Sequence, residues 1–407
     1  MPASRRACWG TLEIVTLQQT LNIQEISPEQ HHSFLAKRDQ ASFLQNPLWP
    51  QTKQAWRSQS LGWWDQDELV AASLVLYRPI PIPGLRGRSL AYLADGPVFD
   101  PETIALESIL EPLVPFARAE GAFLIRVGLP FVLRRWDADD VRKALSAGEH
   151  AMIPELSPAE SHDTALAMAD ELSRLGWQEP ALSEEFEAGQ AQFQARIPLP
   201  QLTKEQRADR ESPEFQAAVE EVLMRMDSTS RRQTRKSTRS DLTISTGGIE
   251  AIGQWQALYE ETAERDDFIG RPQSYFEAMF EALNASDLAQ CKVLFAHFED
   301  KLLASAIYVQ QLGTGWYVYG ASTREESKRY APRGLQLEQI KLSLEAGASW
   351  YDLGGVSATL DKEHELAGLT RFKTTMGADV VQTMGEWDYP INKVMARGFQ
   401  AYMQRRG

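Results

Sequence analysis

The chain has 407 residues, 43% hydrophobic and 24% charged, enough for two or three domains with ordinary globular cores. Its 56 acidic residues outnumber 42 lysines and arginines, and the net charge of −14 argues against a broad nucleic-acid-binding face, leaving any polyanion to meet a local basic patch. The two cysteines, Cys8 and Cys291, exclude a disulfide framework and fit no metal spacing; with no secretory signal and no run near the ~20 apolar residues of a membrane span, a soluble cytoplasmic protein is expected.

In chain order, residues 1–40 predict a leading strand over TLEIVTL and a short helical stretch. The segment 43–64 reads as an entry loop and an amphipathic helix, with Trp49 and Trp56 two turns apart on one face. LVAASLVLYRPIP and SLAYLADGPVF read as strands joined by a proline- and glycine-rich turn. A helix over 103–119 and a strand over 122–127 follow, and the polar residues 134–160 read as a crossover. TALAMADELSRLGW is an amphipathic helix ending at Gly176, and FQARIPLP is a strand. Residues 205–245 hold one helix of normal length, 212–226, with a serine cap and an acidic first turn. Two more helices, GGIEAIGQWQALYEETAERD and QSYFEAMFEALN, precede the most informative stretch, 302–377. There LLASAIYVQQ and WYVYGAS are strands, RGLQLEQIKLSLEAG is a helix, SWYDLGG is a third strand, and RFKTTMG closes the unit. EWDYPINKVMARGFQAYMQRR reads as a C-terminal helix packing back on the first unit.

Part of this pattern occurs twice. ELVAASLVLY (68–77) matches KLLASAIYVQ (301–310), and ARAEGAFLIRVG (117–128) matches SLEAGASWYDLGG (343–355), with Gly121 and Gly347 both where a helix gives way to a strand. A duplication sets the fold class: α/β (α+β), two related units in tandem. The first spans 1–155 and is completed by the C-terminal helix 386–407; the second spans 156–385. Strand–strand–helix–strand in this order resembles the acyl-transferring GNAT domain, so two tandem GNAT-like domains are expected.

Five groups of residues carry candidate chemistry. Tyr317 and Tyr319, two apart in a strand, place their rings on one side. Two hydroxyls on a cleft wall hydrogen-bond a polar ligand, although aromatics also suit strands by propensity alone. Lys373, after Phe372, suits a developing oxyanion or a phosphate, or else plain solvent. Arg271 and Tyr275 share a face at a helix start, where arginine clamps phosphate or simply stacks on tyrosine. Lys53 extends from the first domain. Arg231, Arg232, Arg235, Lys236 and Arg239 put five positive charges in nine residues, suited to RNA phosphates and equally to balancing the acidic stretch around 211–221. No GxSxG elbow, HExxH, CxxC pair or P-loop is present.

These residues together resemble the FemABX family of peptidoglycan interpeptide-bridge aminoacyltransferases, from Phe43 to the C-terminus. The motifs are Phe43-Leu44-Gln45 with Trp49 and Lys53; Tyr92 and Gly96-Pro97 through Asp100; Arg271 and Tyr275; Tyr317 through Ser322; YDLGG (351–355); and Phe372-Lys373 with Gly377. The resemblance implies an enzyme that moves an amino acid from aminoacyl-tRNA to the stem-peptide amine of UDP-MurNAc-pentapeptide or lipid II. No metal or cofactor is implied. A monomer with peripheral contact to the inner membrane face is expected. The resemblance places Trp49, Lys53, Arg271 and Tyr275 on the acceptor and Tyr317, Tyr319, Phe372 and Lys373 at the reacting end. Gly128-Leu129-Pro130 stands where family members often carry aspartate-proline, so a carboxylate proposed as their acid–base is missing. The long two-helix arm of some members is missing too. Two rival readings are an acyl-CoA-dependent N-acyltransferase and a non-catalytic precursor-binding protein. Against the first, Arg329 to Gly334, with Pro332 and then Leu335, is a degraded version of the glycine-rich turn that binds the CoA pyrophosphate.

Overall fold

The computed structural model describes residues 21–80, 87–182 and 189–404. The expected leading strand over TLEIVTL lies outside them. The elements in the first half of the chain are β1 (Asn22–Ile26), α1 (Pro28–Leu35), β2 (Arg57–Asp65), β3 (Glu68–Pro79), β4 (Ser89–Leu93), α2 (Leu106–Ala119), β5 (Ala122–Trp136), α3 (Ala138–Ala147), β6 (Glu160–Ser161), α4 (Asp163–Arg174) and β7 (Phe193–Pro198). Then come α5 (Lys204–Arg207), α6 (Pro213–Arg225), α7 (Ser228–Ser237), β8 (Leu242–Gly247), α8 (Ile252–Asp266), α9 (Gln273–Asn284), β9 (Ala289–Phe298), β10 (Lys301–Gln311), β11 (Thr314–Ser322), α10 (Ala331–Ala346), β12 (Trp350–Gly355), α11 (Ala367–Thr375), β13 (Asp379–Tyr389) and α12 (Lys393–Gln404).

One continuous sheet runs β1-β2-β3-β4-β5-β13-β7-β12-β11-β10-β9-β8, with β6 paired to β5 off this path. The order is symmetric about the β13–β7 junction. β3 answers β10, and β4 and β5 answer β11 and β12, each of these last two pairs being parallel. Gly121 and Gly347, after α2 and α10, both take the left-handed conformation (φ +85° and +72°), which side chains resist. The border strands are exchanged. β7 follows the first unit in sequence yet pairs with β12, and β13 follows the second unit yet pairs with β5.

One apolar cluster packs α6 and α10 against β7, β10 and β12, through Phe215, Val222, Ile340 and Tyr308. Another packs α2 and α4 on the first unit. A third bridges the units, joining Phe43, Trp49, Leu74 and Leu76 to Trp255, Phe276 and Phe280 of α8 and α9. α12 rests on the first unit, with Phe399 edge-on to Phe123.

Several segments differ from the sequence reading. Residues 43–64 form short 3-10 turns and then β2, not a helix. β2 lies between β1 and β3 and buries Ser60, Leu61, Gly62 and Trp63 in succession, so no alternation marks it as a strand. The segment 134–160 holds a helix, α3, whose Val141, Ala144 and Leu145 face inward while charged neighbours mask the period. Residues 205–245 hold two full helices, α6 and α7, rather than one. Glu386–Tyr389 belong to β13, and the C-terminal helix begins only at Lys393, past Pro390.

Candidate active site between the parallel strands

β11 and β12 pair over only three residues, Thr314↔Trp350, Gly315↔Tyr351 and Trp316↔Asp352. Beyond them β11 follows β10 to Ser322, while β12 follows β7. Two parallel strands that part leave backbone groups without a ladder partner, and a ligand or side chain must satisfy them. Lys373, on α11, lies at this opening. It is 5% exposed, and its Nζ donates to the Gly355 carbonyl at 2.5 Å. A Cβ on Gly354 would sit 3.8 Å from that Nζ, and Gly354 has φ +80°, so the strand end is shaped for a residue without a side chain. Burial pulls the Lys373 ammonium down to about 8, partly opposed by the negative charge of Asp352. Asp352 is itself buried, with Arg196 Nε donating to it at 2.9 Å.

A cavity of about 170 Å³ adjoins this opening, lined by Tyr317, Gly320, Pro332, Gln336 and Phe372 together with Arg265 and Asp266. Tyr317 lies over Gly320, whose missing Cβ makes room for its ring. Burial pushes the Tyr317 phenol up to about 12, so it keeps its proton and can donate at neutral pH. Phe372 closes one wall, with the Arg333 guanidinium 5.2 Å from its ring.

Tyr317 and Tyr319 do not share a side, contrary to the two-residue rule. A bulge shifts the register between Ile307 and Tyr308, so Tyr317 pairs with Tyr308, Tyr319 pairs with Ile307, and Val318 is extra. Tyr317 therefore packs with the α10 cluster and Tyr319 with the α8–α9 cluster. There Tyr319 reaches the Tyr275 hydroxyl at 3.4 Å and stands edge-on to Phe276 at 5.1 Å.

Tyr275 marks a second constellation at the seam between the units. Lys53 lies 5.1 Å from the Tyr275 ring and 5.9 Å from Trp56, and Arg271 lies 5.4 Å from Tyr275. Burial, then the charges of Arg271 and Arg78, pull the Lys53 ammonium down to about 8. Trp49 is not part of this surface. It is 3% exposed and edge-on to Phe43 in the bridging core, so its expected contact with a substrate is corrected to packing.

Arg231, Arg232, Arg235 and Lys236 of the basic run lie on α7 and Arg239 in the turn just after it, and the five line a groove of about 450 Å³. Only Arg235 among them forms an ion pair within the described residues, with Glu220, so the balancing of the acidic stretch applies to one charge of five. Lys236 lies 5.4 Å from the Tyr330 ring.

Position 128 faces two carboxylate-bearing residues. A Cβ there would meet the Asp95 amide nitrogen at 3.2 Å and Glu386 Cγ at 3.7 Å. Glu386 accepts from the Tyr92 hydroxyl, from the Gln190 amide at 2.9 Å and from Arg126 at 3.3 Å. Burial raises the carboxyls of both Asp95 and Glu386. Neither was singled out in the sequence, because one sits in a turn and the other in a segment read as helix. Arg78 has no motif around it to mark it in the sequence, Trp56 reads there only as a partner of Trp49, and Arg333 only as part of the degraded glycine-rich turn.

The family model described as "FemAB family" matches residues 26–302 and 285–404. The lipid II:glycine glycyltransferase of Staphylococcus saprophyticus is 22% identical over 430 aligned positions, covering 90% of this chain and 92% of that protein. Its namesake from Staphylococcus aureus strain MRSA252 is 21% identical, with the same coverage. The crystal structure of FemX superposes with a TM-score of 0.72 at 19% identity, covering 92% of this chain and 99% of FemX.

Proposed function

Because this chain belongs to the FemAB family, we propose that it is an aminoacyltransferase moving an amino acid from aminoacyl-tRNA to the stem-peptide amine of a peptidoglycan precursor. The fold is the tandem GNAT-like pair of that family, and the curated relatives are named for glycyl transfer to lipid II. The observation that carries the reading is the buried Lys373 ammonium at the parting of β11 and β12, beside a cavity walled by Phe372 and Tyr317.

An ester between an amino acid and a tRNA ribose is already activated, so no covalent nucleophile is required. The acceptor amine attacks the ester carbonyl and the tetrahedral oxyanion forms; as it collapses the bond to the ribose oxygen breaks, and the amine's proton passes to that departing oxygen, relayed by the substrate's own groups or the neighbouring ribose hydroxyl. Lys373 stands as the donor to the oxyanion, in surroundings where a charged hydrogen bond counts for more than in water. Phe372 helps keep the pocket dry. Lys53, Arg271 and Tyr275 bind the acceptor's phosphates and sugar, and Tyr319, standing with Tyr275, joins them rather than the reacting end. The cations on α7 and just after it that form no ion pair among the described residues meet the tRNA backbone. No described helix is long and apolar enough to cross a membrane.

Acyl-CoA is disfavoured as donor. Arg329 is committed elsewhere, to the Ser240 carbonyl at 2.6 Å, to Glu326 at 3.0 Å and to the face of Phe298. Leu335 is buried in the first turns of α10, where a glycine-rich turn would admit pyrophosphate. The test is mass spectrometry of muropeptides from a deletion strain. Loss of a one- or two-residue branch is expected; an unchanged muropeptide profile would sink the reading.

A further inference from the structure

Cations and aromatic rings alternate along the seam between the units, and the series does not stop at Lys53. Arg271 and Lys53 lie 5.4 and 5.1 Å from the Tyr275 ring, Lys53 lies 5.9 Å from Trp56, and Arg78 lies 5.5 Å from the same Trp56 and 5.6 Å from Phe399. Each cation comes from a different part of the fold: the loop before α9, the 3-10 turn after Trp49, and the end of β3. Lys53 and Arg271 form no ion pair within the described residues. Ring faces attract cations one at a time, but three cations in a row repel each other. Burial first, and then the charges of Arg271 and Arg78, pull the Lys53 ammonium down. Such a row becomes favourable when an anion lies along it.

We propose that Arg78 is the third cation of the acceptor site, and that the acceptor's diphosphate lies along the row Arg271–Lys53–Arg78. The assignment rests on the acceptor reading given under Proposed function. Two phosphates present more anionic oxygen than Lys53 and Arg271 can neutralise, and Arg78 offers a planar fork suited to the second. Trp56 holds Lys53 and Arg78 on one ring, which keeps both cations ordered before the ligand arrives.

The test compares kcat/KM for two acceptors, UDP-MurNAc-pentapeptide and MurNAc-pentapeptide without diphosphate, in the wild type and Arg78→Gln. The variant is expected to lose about tenfold on the diphosphate acceptor, through KM with kcat kept, and nothing on the other. Arg78→Lys, which restores the charge, is expected to recover part of the loss and also controls for folding. Lipid II in micelles shares the diphosphate and should lose by the same factor. Equal losses on both soluble acceptors, no loss on either, or a loss confined to one carrier would overturn the assignment. A wild type inert towards every acceptor would instead overturn the acceptor reading itself, and this inference with it.

Discussion

Lys373 gives up most of its hydration to stand at the strand opening, and that cost gives it a measurable signature. Its ammonium titrates near 8 rather than the ordinary lysine value, which amounts to about 3 kcal/mol at most against the folded state at neutral pH. Lys373→Met is therefore expected to raise the unfolding free energy by ~1–3 kcal/mol while removing activity, a trade seen where sites are held under strain. The sign with pH follows. Between about pH 8 and the unfolded lysine value of ~10.4 the unfolded chain holds more protons than the folded one, so this group makes stability rise with pH in that window. A urea-melt series in wild type and Lys373→Met checks it, since the difference between them should shrink as pH rises. The acceptor amine must lose a proton to attack and Lys373 must keep one, so kcat should rise with pH up to about 8, level off as Lys373 begins to lose its proton, and fall once an ordinary amine value of ~10.4 is passed. A rate still climbing steadily between pH 8 and 10 would remove the Lys373 proton from the reaction. At the seam, Trp49→Ala is expected to cost ~3–5 kcal/mol of stability, with KM for the acceptor unchanged in the folded fraction. Lys373, Lys53, Arg271 and Tyr275 were legible because each sits in a short motif with fixed spacing. Trp49 sits in the same opening motif as Lys53, and only burial separates a core indole from a binding one.

A β-bulge and a charged helix decide what individual strands and helices contribute. The extra Val318 lets Tyr317 line the cavity with Phe372 while Tyr319 reaches Tyr275. No single-strand pattern reveals this, because the bulge is a property of how β10 and β11 pair. α3, β2 and β13 were missed for related reasons: two are strands inside the sheet whose neighbours hide the period, and one is a helix whose apolar stripe is narrow. α7 was legible as charge but not as a separate helix. Because Arg232 and Arg239 make no ion pair within the described residues, reversing both to glutamate should leave the melting temperature nearly unchanged. It should raise KM for charged tRNA and lower the slope of log KM against log salt by about 1.4–1.8, the contribution of two phosphate contacts. An unaltered salt slope would remove α7 from the tRNA path.

Duplication gives the molecule two units, and strand exchange makes them inseparable. The repeat itself was visible in the sequence, down to the paired glycines after α2 and α10. The exchange of β7 and β13 was not, since pairing β13 with β5 joins residues about 250 positions apart and leaves no local mark. A fragment ending at residue 192 should fail to fold alone, lacking its border strand, and should gain structure when a peptide spanning 379–404 is added. Circular dichroism of the mixture reports it. The exchange also ties β13, and with it Glu386 beside Gly128, to the same sheet that parts at Lys373. The most direct test of the whole account is the single-turnover rate of transfer from charged tRNA to UDP-MurNAc-pentapeptide, with both substrates saturating, in wild type and Lys373→Met. A fall of ~10²–10³-fold is expected in a variant that folds at least as stably. A rate equal to wild type would contradict it.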